Sequence, residues 1–264
     1  MPVVAAGVRG FLFDMDGVLY RGARPLPGSR TLLAALARRG VPFALVTNNS
    51  TRTPRQYVRH LARMGMRVPE DRIVTSAALT AAYLRARLRP GARVLLIGEP
   101  AFRRTLERAG FRVGWERPAA VVVGLDRRLT YRKLAAAATA LLDGAAFVAA
   151  NPDPLLPTAR GVIPGTGAAV AALQYATGRR PLVMGKPGPR LLREGMRRIG
   201  TRPKETVMVG DQIATDIVAA RAAGVRAILV ESGLAAARGG PRRPAPDLVV
   251  RDLRALWRWA RPRL

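Results

Sequence analysis

The sequence predicts an α/β fold in which helices cover both faces of a doubly wound parallel sheet and a smaller α/β domain is inserted. Short apolar runs typical of buried strands alternate with amphipathic helical stretches along the chain. Polar or acidic residues follow several of these runs, at the points where strands would end. Residues 77–180 contain a complete alternation of their own, which indicates the inserted domain.

The first part of the core is predicted over residues 1–76. Leucines at helical spacing define one helix, Pro54 begins another, and Gly40 and Gly65 follow their ends. The predicted elements are a strand at 10–13, a helix at 29–39, a strand at 43–46 and a helix at 53–64.

The inserted domain of residues 77–180 is expected to be a cap. Because it interrupts the core between two polar strand ends, it can close over them as a lid that excludes water. Its predicted elements are helices near 79–88, 102–109 and 131–142, strands at 94–97, 119–123 and 146–150, and a helix after residues 164–167.

The second part of the core is predicted over residues 181–264. A helical stripe of Leu192, Met196 and Ile199 ends at Gly200. The other predicted elements are strands at 181–184, 206–210, 226–230 and 247–250 and a terminal helix carrying Leu253, Leu256 and Trp257.

Length and composition exclude several classes of protein. The 264 residues, 49% of them hydrophobic, give room for two medium domains. No apolar run is long enough to cross a bilayer, and the first residues lack the pattern of a secretory signal, so a cytoplasmic location is expected. Cysteine is absent, which excludes disulfides, thiolate metal sites and a cysteine nucleophile.

Two carboxylates, Asp14 and Asp16, stand where the first apolar strand ends. Side chains alternate along a strand, so the two can share a face only where pairing has ended and Gly17 turns the chain. Two close carboxylates repel unless a cation lies between them, and magnesium is the expected ion. One Asp could then attack a phosphorus atom while the other transfers a proton. The alternative is that Asp and Gly only form a turn.

Three further polar segments also follow predicted strands. Carboxyl ends of parallel strands share one edge of an open α/β sheet, where such sheets build their sites. Hydroxyl and amide groups could donate to phosphate oxygens, an ammonium could neutralise a phosphoryl group, and further acids could bind metal. The segments are Thr47-Asn48-Asn49-Ser50, Gly185-Lys186-Pro187, and Gly210 to Asp216 with Asp211 and Asp216. Each segment alone is also typical of a turn, a helix cap or a solvated charge.

The four segments together resemble the four motifs of the haloacid dehalogenase (HAD) superfamily. Their spacing resembles subfamily IIA, the NagD-like and para-nitrophenylphosphatase-like branch, which has a Rossmann-like core and a large α/β cap between the second and third motifs. The resemblance spans nearly the whole chain. It implies a magnesium-dependent phosphatase that hydrolyses small phosphate monoesters through an aspartyl-phosphate.

Residue roles follow from the resemblance, position by position. It implies that Asp14 is the nucleophile and Asp16 the general acid and then base. Magnesium (Mg²⁺) would be held by Asp14, the backbone carbonyl of Asp16, and Asp211. The resemblance also implies that Thr47, Asn48 and Asn49 bind the phosphoryl group and that Lys186 neutralises it. Asp216 is expected to support the metal ligands without binding the ion itself.

Other positions refine these expectations. Many relatives have an acid where this chain has Ala214, so the tuning of the metal site is expected to differ. An acid at position 16 favours a phosphatase over a dehalogenase. In the family, residues such as Asn151, Asp153 and Thr166 sit where the cap meets the core, which suggests contact with substrate, and turn chemistry is the alternative explanation.

The charge balance favours a second hypothesis. Forty-five Lys and Arg against 17 Asp and Glu give a formal net charge of +28, which attracts polyanions. A nucleic-acid-binding protein on an inactive scaffold is therefore an alternative, with arginine clusters at Arg242-Arg243 and from Arg251 to Arg263. Coding bias towards arginine and alanine is the competing hypothesis, since the arginines are scattered and no recognised nucleic-acid-binding motif accompanies them.

A third hypothesis is phosphoryl transfer to a sugar hydroxyl, as in a phosphotransferase or mutase. The expected partner is a small phosphorylated metabolite, with no membrane association, and the chain is expected to be a monomer or homodimer. Cap loops select the leaving group, and their sequence leaves phosphoglycolate, glycerol phosphate, pyridoxal phosphate, nucleoside monophosphates and phosphosugars all open.

Overall fold

The computed structural model describes residues 7–158, 161–231 and 244–263. Arg242 and Arg243 of the predicted basic cluster lie outside the described residues. Among the helices of the described ranges, none has both the length and the apolar character required to cross a bilayer.

Helices and strands alternate through most of the chain. The first elements are β1 (Gly10–Phe13), β2 (Tyr20–Arg21), β3 (Arg24–Pro25), α1 (Ser29–Arg38), β4 (Phe43–Thr47), α2 (Pro54–Arg63) and β5 (Ile73–Thr75). There follow α3 (Ser76–Arg85), β6 (Arg93–Ile97), α4 (Pro100–Arg108), β7 (Arg112–Val113), β8 (Ala120–Val123), α5 (Tyr131–Leu142), β9 (Ala146–Ala149), β10 (Leu155–Thr158), β11 (Gly161–Pro164), α6 (Thr166–Thr177) and β12 (Leu182–Val183). The last are α7 (Arg190–Ile199), β13 (Thr206–Gly210), α8 (Val218–Ala223), β14 (Arg226–Val230), β15 (Leu248–Val250) and α9 (Leu253–Ala260).

The chain divides into two compact units. Among the described residues, the first unit contains 7–47, 54–74, 186–231 and 244–263, and the second contains 48–53, 75–158 and 161–185.

The first unit is built on a six-stranded sheet of order β15-β14-β13-β1-β4-β5. β1 pairs in parallel with both β13 and β4, with Phe13 opposite Val209 and Leu45. Phe11 and Phe13 face one buried cluster, while on the other face Gly195 of α7 lies against Leu12. Helices therefore cover the sheet on both sides, which explains why β1, β4 and β13 are buried along their whole length.

The second unit contains a five-stranded parallel sheet of order β12-β9-β8-β6-β7. Alternate residues of β6 face opposite ways, with Val94 and Leu96 in one apolar cluster and Leu95 and Ile97 in another. This sheet is therefore also covered on both faces. The α/β class predicted from the sequence is confirmed.

The strand before Lys186 lies in the other sheet. The sequence predicts that residues 181–184 end at the carboxyl edge of the core sheet, but β12 pairs in parallel with β9 of the second unit. Hydrogen bonds from Met184 N to Ala149 O and from Gly185 N to Ala150 O, both 2.9 Å, continue this pairing. The first unit resumes at Lys186 rather than at the predicted residue 181, and residues 48–53 belong to the second unit.

Candidate active site

The carboxyl ends of β1 and β13 bring two acidic residues together. Asp14 follows β1, and its backbone N–H donates to Val209 O at 2.9 Å, so the strand pairing fixes its position. Asp211 follows β13 directly. Asp14, Asp211 and Asp216 are buried, and each has a carboxylate oxygen within 4.8 Å of the others.

Lys186 joins this group with its buried ammonium. Its Nζ donates to Asp14 Oδ1 at 2.6 Å and to Asp216 Oδ1 at 2.6 Å. The lysine side chain is 3% exposed, so these ion pairs are shielded from solvent. The structure thus brings the predicted lysine to the predicted nucleophile, although the strand preceding the lysine pairs elsewhere.

Asp216 connects the lysine to the loop after β13. Its Oδ2 accepts hydrogen bonds from the backbone N–H groups of Asp211 at 3.1 Å and Gln212 at 3.0 Å. The residue lies within a π-helical turn, Ile213–Ile217. It therefore orients Lys186 and the backbone of Asp211 together, and its predicted support of a metal site stays a prediction.

Asp16 occupies a different environment from Asp14. Its side chain is exposed, and its Oδ2 accepts a hydrogen bond from the Tyr20 hydroxyl at 3.4 Å. The Tyr20 ring is buried and contacts the His60 ring edge-on, with 5.0 Å between centroids. One carboxylate is thus buried against an ammonium while the other meets solvent, and such unlike surroundings favour separate chemical roles.

Gly17 allows the turn between these two acids and the approach of Asp211. Its φ is +88°, and a Cβ built on it would collide with the Asp211 carboxylate. A residue with a side chain there would be strained and would displace that carboxylate.

Gly17→Ala is therefore expected to lower the free energy of unfolding by more than the roughly 1–2 kcal/mol of left-handed strain alone. Gly22→Ala is the matched control, because Gly22 has φ +62° but no atom within 4 Å of a built Cβ. Thermal unfolding with and without a divalent cation is the measurement. Equal destabilisation of both variants, with the cation response intact, would contradict this account of Gly17.

Thr47 ends β4, beside β1, and its side chain is buried. Since Leu45 lies opposite Phe13, the chain reaches Thr47 at the same sheet edge as Asp14. The next two residues belong to the second unit. Asn48 donates from Nδ2 to Asp153, and Asn49 Oδ1 accepts from the Thr51 backbone N–H at 2.9 Å and hydroxyl at 2.7 Å. Their phosphate contacts stay predictions.

The buried acids and Lys186 together carry a net negative charge that a bound cation would balance. Three buried carboxylates and one ammonium leave two negative charges. Burial raises the pKa of Asp14 well above its usual range; Lys186 opposes this shift, and Asp216 and Asp211 reinforce it. Burial also acts to lower the pKa of Lys186, but its ion pairs with Asp14 and Asp216 outweigh burial and raise that pKa. The lysine therefore stays charged, and a bound dication would keep Asp14 ionised.

The donor set fits a hard divalent cation. Its candidate ligands are carboxylate oxygens, which Mg²⁺ and Ca²⁺ prefer, and the chain has no cysteine to favour a softer metal. The collision expected of a Cβ at Gly17 shows that the backbone after β1 comes close to Asp211. Asp14, Asp211 and the adjacent backbone could therefore hold the ion.

Family models match both parts of the chain. Residues 11–112 match a model described as haloacid dehalogenase-like hydrolase, and residues 183–256 match a HAD-hydrolase-like model. Two curated relatives are similar over most of their length. A 5'-nucleotidase of Bacillus subtilis, YutF, is 38% identical, covering 86% of this chain and 88% of the relative. A dihydroxyacetone phosphatase of Corynebacterium glutamicum is 35% identical, covering 94% and 91%.

Solved structures of phosphatases and of NagD are also similar to this chain over most of its length. The 4-nitrophenylphosphatase of Thermotoga maritima has a TM-score of 0.90 and 33% identity, covering 97% of this chain and 99% of that one. NagD from E. coli has a TM-score of 0.83 and 33% identity, covering 93% and 97%. A glycerol phosphate phosphatase of Mycobacterium tuberculosis in complex with calcium has a TM-score of 0.84 and 38% identity, covering 96% and 76%.

Proposed function

The chain belongs to the haloacid dehalogenase-like hydrolase family, in its NagD-like phosphatase branch, and we propose that it works through transient phosphorylation of Asp14 with magnesium bound beside it. It is a phosphoric monoester hydrolase. One observation carries the proposed mechanism: Lys186 Nζ lies 2.6 Å from Asp14 Oδ1 inside a cluster of buried carboxylates. This arrangement neutralises a nucleophile and an incoming phosphoryl group in a site shielded from water.

In the first step, a carboxylate oxygen of Asp14 forms a bond to phosphorus as the bond from phosphorus to the leaving oxygen breaks. Asp16 gives its proton to that oxygen, so a neutral alcohol departs. In the second step, a water molecule attacks the phosphorus of the aspartyl-phosphate and Asp16 takes a proton from it. The bond to Asp14 breaks and inorganic phosphate is released.

Lys186 holds Asp14 in place through both steps, because its second ion pair with Asp216 fixes the ammonium. The Thr47 hydroxyl is proposed to donate to a phosphoryl oxygen from the same sheet edge. Asp14, Asp211 and the backbone carbonyl of Asp16 would hold magnesium, which when bound would offset charge on the phosphoryl oxygens.

The substrates proposed are small phosphate monoesters. A panel of para-nitrophenyl phosphate, glycerol phosphate, dihydroxyacetone phosphate and a nucleoside 5'-monophosphate tests this, with inorganic phosphate measured with magnesium and with a chelator. Magnesium-dependent release of phosphate is expected. An isomerised phosphate ester in place of free phosphate would instead identify a mutase, and nucleic-acid binding with no turnover would identify an inactive scaffold.

Magnesium at about 100 times its dissociation constant is expected to stabilise the fold by about 2.7 kcal/mol, which is a rise of about 5–10 °C in the thermal midpoint. Because the pKa of Asp14 is raised in the folded protein, protonation stabilises the metal-free form at acidic pH, and this contribution is lost as pH rises through that pKa. The magnesium increment should therefore grow with pH over the same window. If Asp211→Asn left the stabilisation by magnesium unchanged, Asp211 would not be a ligand of the ion, which would contradict the proposal.

Asp16→Asn is expected to slow release from glycerol phosphate by about 10²–10⁴-fold, because an alkoxide needs a proton to leave. Para-nitrophenolate leaves without one, so the first step should be nearly normal with para-nitrophenyl phosphate while the second step becomes slow. A rapid-mixing assay should then show a burst of nitrophenol of about one per active site. Equal slowing of the burst phase for both substrates would contradict the general-acid role.

A further inference from the structure

The loop of residues 48–53 belongs to the second unit, although its first residue is bonded directly to Thr47. Three side chains of that unit hold Asn48. Its backbone carbonyl accepts from Ser76 Oγ at 2.6 Å and from Asn151 Nδ2 at 2.7 Å. Its own Nδ2 donates to Asp153 Oδ1 at 3.1 Å and to Oδ2 at 3.2 Å.

Asp153 is itself fixed by neighbouring groups. Its backbone N–H donates to Asn151 Oδ1 at 3.2 Å, and its carbonyl accepts from Gly167 N at 2.9 Å. Asn48 and Asn151 are buried, with 9% and 4% of their surface exposed. The loop after β9 and the start of α6 are thus joined to Asn48 by one polar network.

A purely structural contact does not require this combination of groups. The backbone carbonyl of Asn48 already accepts from two side-chain donors, and the bond from its own side chain adds a fixed orientation of the amide. Its acceptor is the partly buried carboxylate of Asp153, and a charged acceptor makes the bond stronger and more directional than a neutral amide would. Both oxygens of Asp153 accept from the same nitrogen, which leaves the Asn48 amide little freedom to reorient towards a ligand.

We propose that Asn48 and Asp153 are a positioning pair: Asp153 holds the Asn48 amide and thereby fixes the loop that carries Asn49 next to Thr47. This assigns Asn48 a role different from the direct phosphate contact that the sequence suggests. The inference rests on the proposed function, since loop 48–53 matters for turnover only if Thr47 and Asn49 bind the phosphoryl group.

Exchanging the two side chains tests the pair. Asn48→Asp places two carboxylates against each other, and Asp153→Asn replaces the charged acceptor with a neutral one. The double variant Asn48→Asp with Asp153→Asn restores an amide donating to a carboxylate in the opposite direction. Glu116→Gln is the control for a carboxylate-to-amide change in the same unit, where Glu116 pairs with Arg93 at 2.7 Å.

We expect kcat/KM for para-nitrophenyl phosphate to fall on the order of 100-fold in Asn48→Asp and about 10-fold in Asp153→Asn. KM and the inhibition constant of inorganic phosphate should rise together, because the loop is proposed to bind phosphoryl oxygens before and after reaction. The double variant should recover to within a few-fold of wild type, and Glu116→Gln should match wild type.

A folded double variant no more active than Asn48→Asp would overturn the inference, because the amide at position 48 would then be needed for its own contact with phosphate. Wild-type kinetics in Asp153→Asn, which keeps the size and one acceptor oxygen of Asp153, would also overturn it. Failure of the proposed function is a separate result, since it would appear as retained turnover in Asp14→Asn whatever the exchange gives.

Discussion

Asp14→Asn is expected to reduce phosphate release by at least about 10⁴-fold while the protein remains folded. Asparagine has nearly the same size as aspartate, but its amide is a poor nucleophile. Lys186 keeps its 2.6 Å ion pair with Asp216 in this variant, so the ammonium is still compensated. Steady-state release from para-nitrophenyl phosphate with saturating magnesium is the measurement.

Stability should respond in the opposite direction to activity. Burial and the carboxylates of Asp216 and Asp211 raise the pKa of Asp14, so ionised Asp14 is disfavoured without a cation. The thermal midpoint of metal-free Asp14→Asn should therefore equal or exceed that of wild type at neutral pH. Asp247→Asn is the control for a carboxylate-to-amide change away from the site. Asp247 pairs with Arg221 at 2.9 Å and lies at the amino end of β15, whereas Asp14 follows the carboxyl end of β1. Turnover retained in Asp14→Asn would refute the nucleophile.

Lys186→Met is expected to impair both folding and turnover. Removing the ammonium leaves Asp14 and Asp216 as uncompensated buried charges, a loss of about 3–5 kcal/mol for a broken buried pair. Activity should fall by about 10³-fold, because the phosphoryl group loses its positive partner. Denaturant unfolding with and without magnesium, together with kcat, measures the two effects.

Two further variants isolate the cause of the Lys186→Met effect. Adding Asp216→Asn removes one of the stranded charges, so it should restore part of the lost stability without restoring activity. Lys133→Met breaks the 2.7 Å pair with Asp126 in the second unit and should leave kcat unchanged. Wild-type stability in Lys186→Met would show that the buried ion pairs are not what neutralises this cluster.

Much of the core could be predicted from the sequence, because strand ends carry a local signal. The apolar run before Asp14 and the one before Asp211 both indicate buried strands, and neighbouring parallel strands end at the same edge. The α/β class and the family follow from these patterns together with their spacing. The structure places Asp14, Asp211 and Asp216 in one buried cluster.

Strand pairing over short segments could not be predicted in the same way. β12 has only two residues, Leu182 and Val183, and its apolar character suits either sheet. The sequence likewise does not predict the antiparallel pairs β2–β3 and β10–β11, because their strands are short and contain Pro25, Pro157 and Pro164. In each case the tertiary structure, rather than the periodicity of the sequence, decides which strand the segment pairs with.

The surroundings of Asn48 illustrate a different limit of prediction from the sequence. Asn48 and Asp153 are 105 positions apart, and neither lies in a periodic pattern that would pair them. The sequence places 48–53 in the core because these residues follow a core strand, but long-range hydrogen bonds to Ser76 and Asn151 place them in the second unit. Pairwise polar contacts of this kind depend on the folded backbone.

Chemical trapping of the phosphorylated enzyme tests the central claim most directly. Asp16→Asn would be mixed with para-nitrophenyl phosphate and magnesium, quenched during the burst, and treated with borohydride, which reduces an acyl phosphate to an alcohol. Mass spectrometry of the peptides should find homoserine in place of aspartate at position 14 and at no other acid. A full burst of nitrophenol with residue 14 unmodified would contradict the covalent mechanism.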